Sequence, residues 1–139
     1  MSTGIPFLDH LGLRIEEAGH GQATLILELQ PEHCNSLRAA HGGVVMTLLD
    51  VAMARAARAL ARQQGEDDHG VVTIEMKASF MKAGTGARLL ARGHCVHRTR
   101  GGMAFCEAEV HDETGELLAR SMGTFKYVRA RAIAHRAPR

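Results

Sequence analysis

One long helical segment, followed only by strands, constrains the fold of this chain more than any other feature. A helix is predicted from about Gly43 to Gln64, with Gly65 in a position suited to ending it. Its first half is apolar all round, as expected for a helix inside a core, whereas its second half carries arginines on one side. A helix of this kind needs a sheet to cover it. The sequence therefore predicts an α+β domain in which an antiparallel sheet wraps around a long central helix.

Alternation of apolar and polar residues predicts five strands, one before the helix and four after it. The pattern gives their spans as 22–30, 71–81, 87–99, 103–112 and 117–128. The strand directly after the helix is predicted to bury one face, made up of Val72, Ile74, Met76, Ala78 and Phe80. A short helix at 5–11, a loop at 31–40 and two turns at 98–102 and 113–115 complete the predicted organisation.

The length of 139 residues fits one domain, which the pattern places at 1–128, and the basic tail at 129–139 is predicted to be disordered. Arginines interrupt the helical segment, so no apolar run approaches the roughly 20 residues of a membrane span. The N-terminus lacks a basic region followed by an apolar one. Three cysteines, an odd number without a Cys-x-x-Cys pair, favour a reducing compartment. We therefore expect a cytoplasmic protein that does not insert into membranes.

The two halves of the chain differ in charge. Residues 1–76 hold 5 Lys and Arg against 10 Asp and Glu, while residues 77–139 hold 12 against 5, which gives net charges of −5 and +7. Such polarity suits an anionic ligand, with coenzyme A phosphates or nucleic acid as the obvious choices. With no Trp, one Tyr and four Phe, the chain lacks the aromatic platforms on which bases stack, so a nucleic-acid partner is not expected.

The apolar run from Val44 to Ala54 carries a single charge, Asp50. We expect this stretch to be buried, and a buried carboxylate without a partner is costly. Asp50 is therefore a candidate for catalysis. Two plainer alternatives remain: a structural carboxylate paired with Arg55 or Arg58, or a helix that is less buried than its composition indicates.

Two glycines, Gly42 and Gly43, stand at the predicted start of the helix. Backbone N–H groups at a helix N-terminus favour anions, and the same donors stabilise the oxyanion formed in acyl-group hydrolysis. A merely permissive turn is the alternative, since many glycine pairs do no more than that.

The residues Asn35, His41-Gly42-Gly43 and Asp50 form the pattern Asn-x5-His-Gly-Gly-x6-Asp. This pattern resembles that of the hotdog-fold acyl-coenzyme A thioesterases of the phenylacetate-degradation type. Together with the strands that follow, the resemblance covers roughly residues 5–128. It implies the hotdog topology and hydrolysis of a thioester to a free acid and coenzyme A, with no metal or other cofactor.

The resemblance also implies roles for individual residues. Asp50 would act as general base on water, or as a nucleophile that forms a mixed anhydride. The Gly42 amide would donate to the oxyanion, and His41 would brace the loop rather than serve as general acid. Asn35 would polarise the carbonyl or position the loop, a plain Asx turn being the alternative. Thr73 matches a position whose small hydroxyl orients the attacking water, although a β-branched residue in a strand needs no such explanation.

Coenzyme A phosphates are expected at the turn that contains Arg98, Arg100, Gly101 and Gly102, although solvated surface charge is the common alternative for any one arginine. Cys34 near His41 invites a Cys-His interpretation, but no third orienting group is evident. The nine histidines include no His-Glu-x-x-His pattern, so no metal site is predicted.

The spacing of Gly42 and Asp50 argues for a site shared between two chains. Eight residues apart on one helix, they are separated by about 12 Å. An oxyanion donor and an attacking group must both lie within roughly 3 Å of the reacting centre. A twofold axis brings Gly42 of one chain towards Asp50 of the other, which predicts a homodimer with composite sites. The resemblance implies the same, and often a further pairing into a homotetramer.

Two other functions are compatible with such a fold. A non-catalytic acyl-CoA-binding protein is disfavoured, because binding alone has no use for a buried charge at Asp50. An enoyl-CoA hydratase would resemble a different hotdog branch, whose Asp-x4-His pattern is not found in this chain.

Overall fold

A helix of 22 residues lies against one face of a six-stranded antiparallel sheet in the computed structural model, which describes residues 2–129. The helices are α1 (Pro6–Leu11) and α2 (Gly42–Gln63), with a 3-10 turn at Pro31–His33. The strands are β1 (Arg14–Gly19), β2 (Gln22–Glu28), β3 (His69–Phe80), β4 (Arg88–Arg98), β5 (Met103–Asp112) and β6 (Leu117–Arg129). Their order across the sheet is β1-β2-β4-β5-β6-β3, so β1 and β3 are the two edges.

This arrangement confirms the predicted α+β class and the hotdog fold, in which a sheet wraps around a long central helix. The helix itself begins and ends one residue earlier than predicted. Strand β1 was missed, because its sequence Arg14–Gly19 places two glutamates side by side and its pairing with β2 shifts register after Ile15. A register shift of this kind breaks the alternation on which strand prediction depends.

The core forms where small side chains of α2 meet the inner face of the sheet. Ala52, Ala56, Ala57 and Ala61 are fully buried. Small residues on the helix let its backbone come close to β4, where Gly93 faces it. A Cβ atom added at Gly93 would lie 2.1 Å from the carbonyl oxygen of Ala52. The absence of a side chain at Gly93 therefore permits the close packing of helix on sheet.

We expect Gly93→Ala to lower the free energy of unfolding by about 1–3 kcal/mol or more, because the added methyl group meets backbone that cannot rotate away. Gly101→Ala is the matched control, since a Cβ atom there would come no closer than 3.8 Å to the nearest atom, Oγ1 of Thr99. Urea unfolding of the two variants measures the difference. Equal stability of both would show that the helix can move away from the sheet at little cost.

The predicted buried face of β3 is confirmed at Met76 and Ala78 and is wrong at Val72, Ile74 and Phe80. A bulge shifts the register of β3 against β6 between Thr73 and Glu75, and this inverts the alternation along the strand. Val71, Met76 and Ala78 pack against the core. The other apolar residues of the strand are exposed in the single chain, namely Val72, Ile74 and Phe80. Strand β3 therefore presents an apolar, unpaired edge.

The last strand continues to Arg129, so the strand runs one residue past the predicted domain boundary at 128. The rest of the predicted basic tail, 130–139, lies outside the described residues. Across residues 2–129, no helix has the length and apolar character needed to cross a membrane.

Candidate active site

The loop before α2 is held in place by a buried histidine, His33, which no sequence pattern singled out. Its Nδ1 accepts a hydrogen bond from the backbone N–H of Gln30 at 2.9 Å, and its Nε2 lies 2.7 Å from the carbonyl oxygen of Leu11. A carbonyl can only accept, so Nε2 carries the proton and donates. The His33 carbonyl in turn accepts from the N–H of His41 at 2.8 Å. These bonds tie the start of the site to α1 and the 3-10 turn.

Asn35 closes the same loop as an Asx turn. Its Oδ1 accepts from the N–H groups of Leu37 at 2.9 Å and Ala39 at 3.2 Å, and its own N–H donates to the Ala39 carbonyl at 2.8 Å. This geometry is the one expected of a loop-positioning residue. A role in polarising the substrate carbonyl would fall to the side-chain amide nitrogen, and it stays a prediction.

His41 is the N-cap of α2, and it leaves one donor of the helix end available. Its Nδ1 accepts from the N–H of Gly43 at 2.8 Å, and its carbonyl accepts from the N–H of Val44 at 2.9 Å. A Cβ atom at Gly43 would lie 3.1 Å from Nδ1, so a side chain there would press on the ring. Among the hydrogen bonds found within residues 2–129, none uses the N–H of Gly42, which is exposed. The Gly42 amide therefore points its dipole and an unused donor towards solvent.

Asp50 lies in the third turn of α2, beside the bulge of β3. The hydroxyl of Thr73 donates to Oδ1 of Asp50 at 2.6 Å, a bond between residues 23 positions apart in the chain. The carboxylate is half-buried rather than buried, so the expectation of a buried charge without a partner is wrong on both points. The alternation of β3 inverts at this bulge, and Thr73 is the last residue before it.

No arginine pairs with Asp50 in the part of the chain that the structure describes. Arg55, one of the two candidates for such a pair, instead donates to the carbonyl of Thr3 at 3.4 Å. The carboxylate therefore has one hydroxyl donor and keeps its remaining lone pairs for water or substrate.

The two arginines of the turn predicted to bind coenzyme A differ in their surroundings: Arg98 is paired and Arg100 is exposed. Arg98 forms an ion pair with Glu66, hydrogen-bonds Gln64, and stacks over the ring of Tyr127 with its Cζ 4.2 Å from the centroid. A phosphate would have to compete with Glu66 for this guanidinium. Arg100 is exposed at the tip of the turn. Gly101 and Gly102 follow it, and the φ of 89° at Gly102 suits glycine.

The Cys-His interpretation gains no support from the geometry. The Cys34 thiol lies 3.5 Å from the Gln30 carbonyl, and Nδ1 of His41 accepts from the N–H of Gly43. Within residues 2–129, no three His, Cys, Asp or Glu side chains are grouped closely enough to hold a metal ion.

Comparison with known families gives this site its class. A family model described as "Thioesterase superfamily" matches residues 38–119, which is more than half of the chain and includes the end of the loop, α2 and strands β3 to β5. The chain therefore belongs to the thioesterase superfamily, and a hydrolytic function of the thioesterase type follows from that membership.

Individual relatives support the same assignment. The chain is 29% identical over 117 residues to a protein from Archaeoglobus fulgidus that carries a provisional esterase name, covering 82% of this chain and 70% of that protein. It is also similar to the conserved protein PA5202 from Pseudomonas aeruginosa, with a TM-score of 0.81, 26% identity, and coverage of 92% and 95% of the two chains. The PaaI protein of Escherichia coli, from the phenylacetic acid degradation operon, shares the fold with a TM-score of 0.79 at 18% identity, covering 89% and 85%.

Proposed function

We propose that this protein is an acyl-CoA thioesterase that hydrolyses a thioester to a free carboxylic acid and coenzyme A. The observation that carries the proposal is the hydrogen bond from Thr73 to Asp50. It joins the two residues that the resemblance associates with activating and orienting the attacking water. The match to the thioesterase superfamily supports the reaction class. The phenylacetate-degradation type is the branch we propose, on the strength of the motif that ends at Asp50.

In the proposed mechanism, Thr73 holds one oxygen of the Asp50 carboxylate and so orients the other. That second oxygen takes a proton from water, which attacks the thioester carbonyl and displaces the coenzyme A thiolate, or it attacks the carbonyl itself and displaces the thiolate to form a mixed anhydride that water then hydrolyses. During each attack, negative charge develops on the carbonyl oxygen. An N–H at the start of a 22-residue helix stabilises that charge, and the Gly42 amide is the donor we propose. His41 fixes the shape of the helix start, and Asn35 that of the preceding loop.

A second protomer completes the proposed site. Strand β3 is an edge of 12 residues whose outer side has no strand partner among the described residues, and it exposes Val72, Ile74 and Phe80. Long apolar edges invite pairing with another strand. Pairing of two β3 edges about a twofold axis would cover these side chains. It would also bring α2 of one chain close to α2 of the other chain. We therefore propose a homodimer with composite active sites, and a homotetramer as its further assembly.

Coenzyme A is proposed to meet the turn formed by Arg100, Gly101 and Gly102. Arg100 is exposed, and the glycines leave the backbone open to a phosphate. Arg98 is the secondary candidate, since Glu66 already balances its charge.

A panel of aryl and aliphatic acyl-CoA esters, assayed for release of the coenzyme A thiol, tests the proposal and identifies the acyl group. We expect turnover that saturates with at least one ester. Tight binding of acyl-CoA without thiol release from any ester would instead establish the non-catalytic acyl-CoA-binding alternative.

We expect Thr73→Val to lower turnover by roughly 10- to 100-fold, the range that corresponds to losing a hydrogen bond to a charged group. Valine keeps the β-branched shape that suits a strand, so the loss isolates the hydroxyl. Thr73→Ser is the matched control and should keep most of the activity. Steady-state kinetics of both variants provide the measurement. Equal activity in Thr73→Val and wild type would remove Thr73 from the catalytic site.

A further inference from the structure

We propose that a cleft on the side of α2 facing β1 binds the adjacent phosphate groups of a small polyanion, such as inorganic pyrophosphate or a nucleoside diphosphate. The cleft encloses about 440 Å³ between the second half of α2 and the turn that joins β1 to β2. Its walls include His20 from the turn and three arginines from the helix, Arg55, Arg58 and Arg62.

The three arginines form one stripe, at spacings of three and four residues along the helix. Their positive charge is loosely balanced among the described side chains, a set that does not include that of Glu17 on β1. Arg62 has Asp67 at 3.9 Å, with both side chains largely exposed, and Arg55 donates to the neutral carbonyl of Thr3. Among those side chains, one loosely placed carboxylate faces three cations.

The three arginines are destabilised by mutual repulsion and by an unsatisfied donor, and a bound anion would relieve both. Burial, and then the charges of Arg58 and Arg62, lower the pKa of Arg55 below its ordinary value. The Nε of Arg58 is buried, and among the described residues it has no hydrogen-bond partner. A buried donor without an acceptor costs free energy, and a guanidinium costs more than a neutral group. A negatively charged acceptor would satisfy this donor and offset the repulsion between the arginines.

Adjacent phosphate groups match these donors in geometry and in charge. Planar guanidinium groups bind phosphate oxygens in pairs, and several arginines on one stripe match several adjacent charges. The cavity on the outer face of the sheet, of about 510 Å³, provides a contrast. There the cations Lys77, Arg92 and Arg120 share the space with the acids Glu107 and Glu109, and Arg120 is already paired with Glu109. Of these two cavities, the cleft on α2 is the one that combines a cluster of arginines with an unused buried donor.

Two sources supply this chemistry: the nucleotide part of coenzyme A, or a separate nucleotide. The first source rests on the proposed function. Arg58 lies eight residues after Asp50, about 12 Å along the helix, so the cleft is distinct from the carboxylate. A separate nucleotide would make the cleft a second site on the same helix.

Calorimetric titration of the full chain with inorganic pyrophosphate and with ADP tests the proposal. We expect saturable binding of both, weakened roughly tenfold or more in Arg58→Ala and in Arg62→Ala. Arg14→Ala is the matched control, because Arg14 is exposed and its partner Glu28 also pairs with Arg88. The control should bind as wild type does. The thermal midpoint of Arg58→Ala without ligand should equal or exceed that of wild type, since repulsion is relieved. A wild-type chain that does not bind pyrophosphate or ADP, or equal weakening by Arg14→Ala, would overturn the proposal.

A second arm identifies the source. If Arg58→Ala raises the KM for a coenzyme A ester but not for the same acyl group on pantetheine, the cleft holds the substrate's nucleotide. If KM for both esters is unchanged while ADP binding is weakened, the ligand is a separate nucleotide. Should the chain hydrolyse no thioester at all, the pyrophosphate titration still decides whether the cleft binds phosphate.

Discussion

Asp50→Asn is expected to lower turnover by roughly a hundredfold or more, the scale on which general bases and nucleophiles contribute. An asparagine keeps the shape of the side chain, and its carbonyl oxygen still accepts the hydrogen bond from Thr73. What it lacks is the ability to take a proton or to attack. The turnover number of the purified variant, measured with the best ester of the panel, is the relevant quantity.

The control for this variant is Glu107→Gln, which removes one exposed carboxylate from the outer face of the sheet. It should have wild-type turnover, and both variants should unfold in urea at a midpoint close to that of wild type. A well-folded Asp50→Asn with undiminished turnover would refute the catalytic assignment.

Two inactive variants, Asp50→Ala and Gly42→Phe, should regain roughly a quarter of wild-type activity when they are unfolded, mixed in equal amounts and refolded together. If each site takes Asp50 from one chain and Gly42 from the other, half of the dimers are mixed and half of their sites are intact. A Cβ atom at Gly42 meets no atom within 4 Å in the single chain. The phenylalanine therefore acts on the site rather than on the folding of its own chain.

Each variant refolded alone is the control and should stay inactive. Size-exclusion chromatography with light scattering measures the oligomer in the same samples. An active monomer, or a mixture that regains nothing, would show that the two residues do not act across a dimer.

The sequence predicted the elements whose periodicity survives in the structure, and it failed where a bulge interrupts that periodicity. Helix α2 is one uninterrupted helical segment between glycines, and its ends were predicted to within one residue. In β3 the extra residue between Thr73 and Glu75 turns Val72 and Ile74 outward, which no alternating pattern can reveal. Bulges depend on the pairing of two strands, and a single sequence does not contain that pairing.

For the candidate site, the sequence identified residue types but not their surroundings. Asp50 stood out as the one charge in an apolar run, yet its exposure depends on where the edge strand lies, not on its helical neighbours. Thr73 was predicted from the family resemblance alone, because threonine is common in strands and needs no functional explanation there. His33 was missed since its burial comes from distant contacts with Leu11 and Gln30. The loose pairing of the arginines on α2 is likewise a tertiary property.

The contact of Gly93 with Ala52 has a mechanical consequence. Two backbones that meet without intervening side chains set the distance between α2 and β4, because neither surface has an atom there that could be removed to bring them closer. Ala52 is two residues after Asp50, so this contact also sets the distance of the carboxylate from the sheet. Changes of acyl preference during evolution would then have to arise from side chains around the pocket. The helix itself serves as a fixed reference that such changes leave in place.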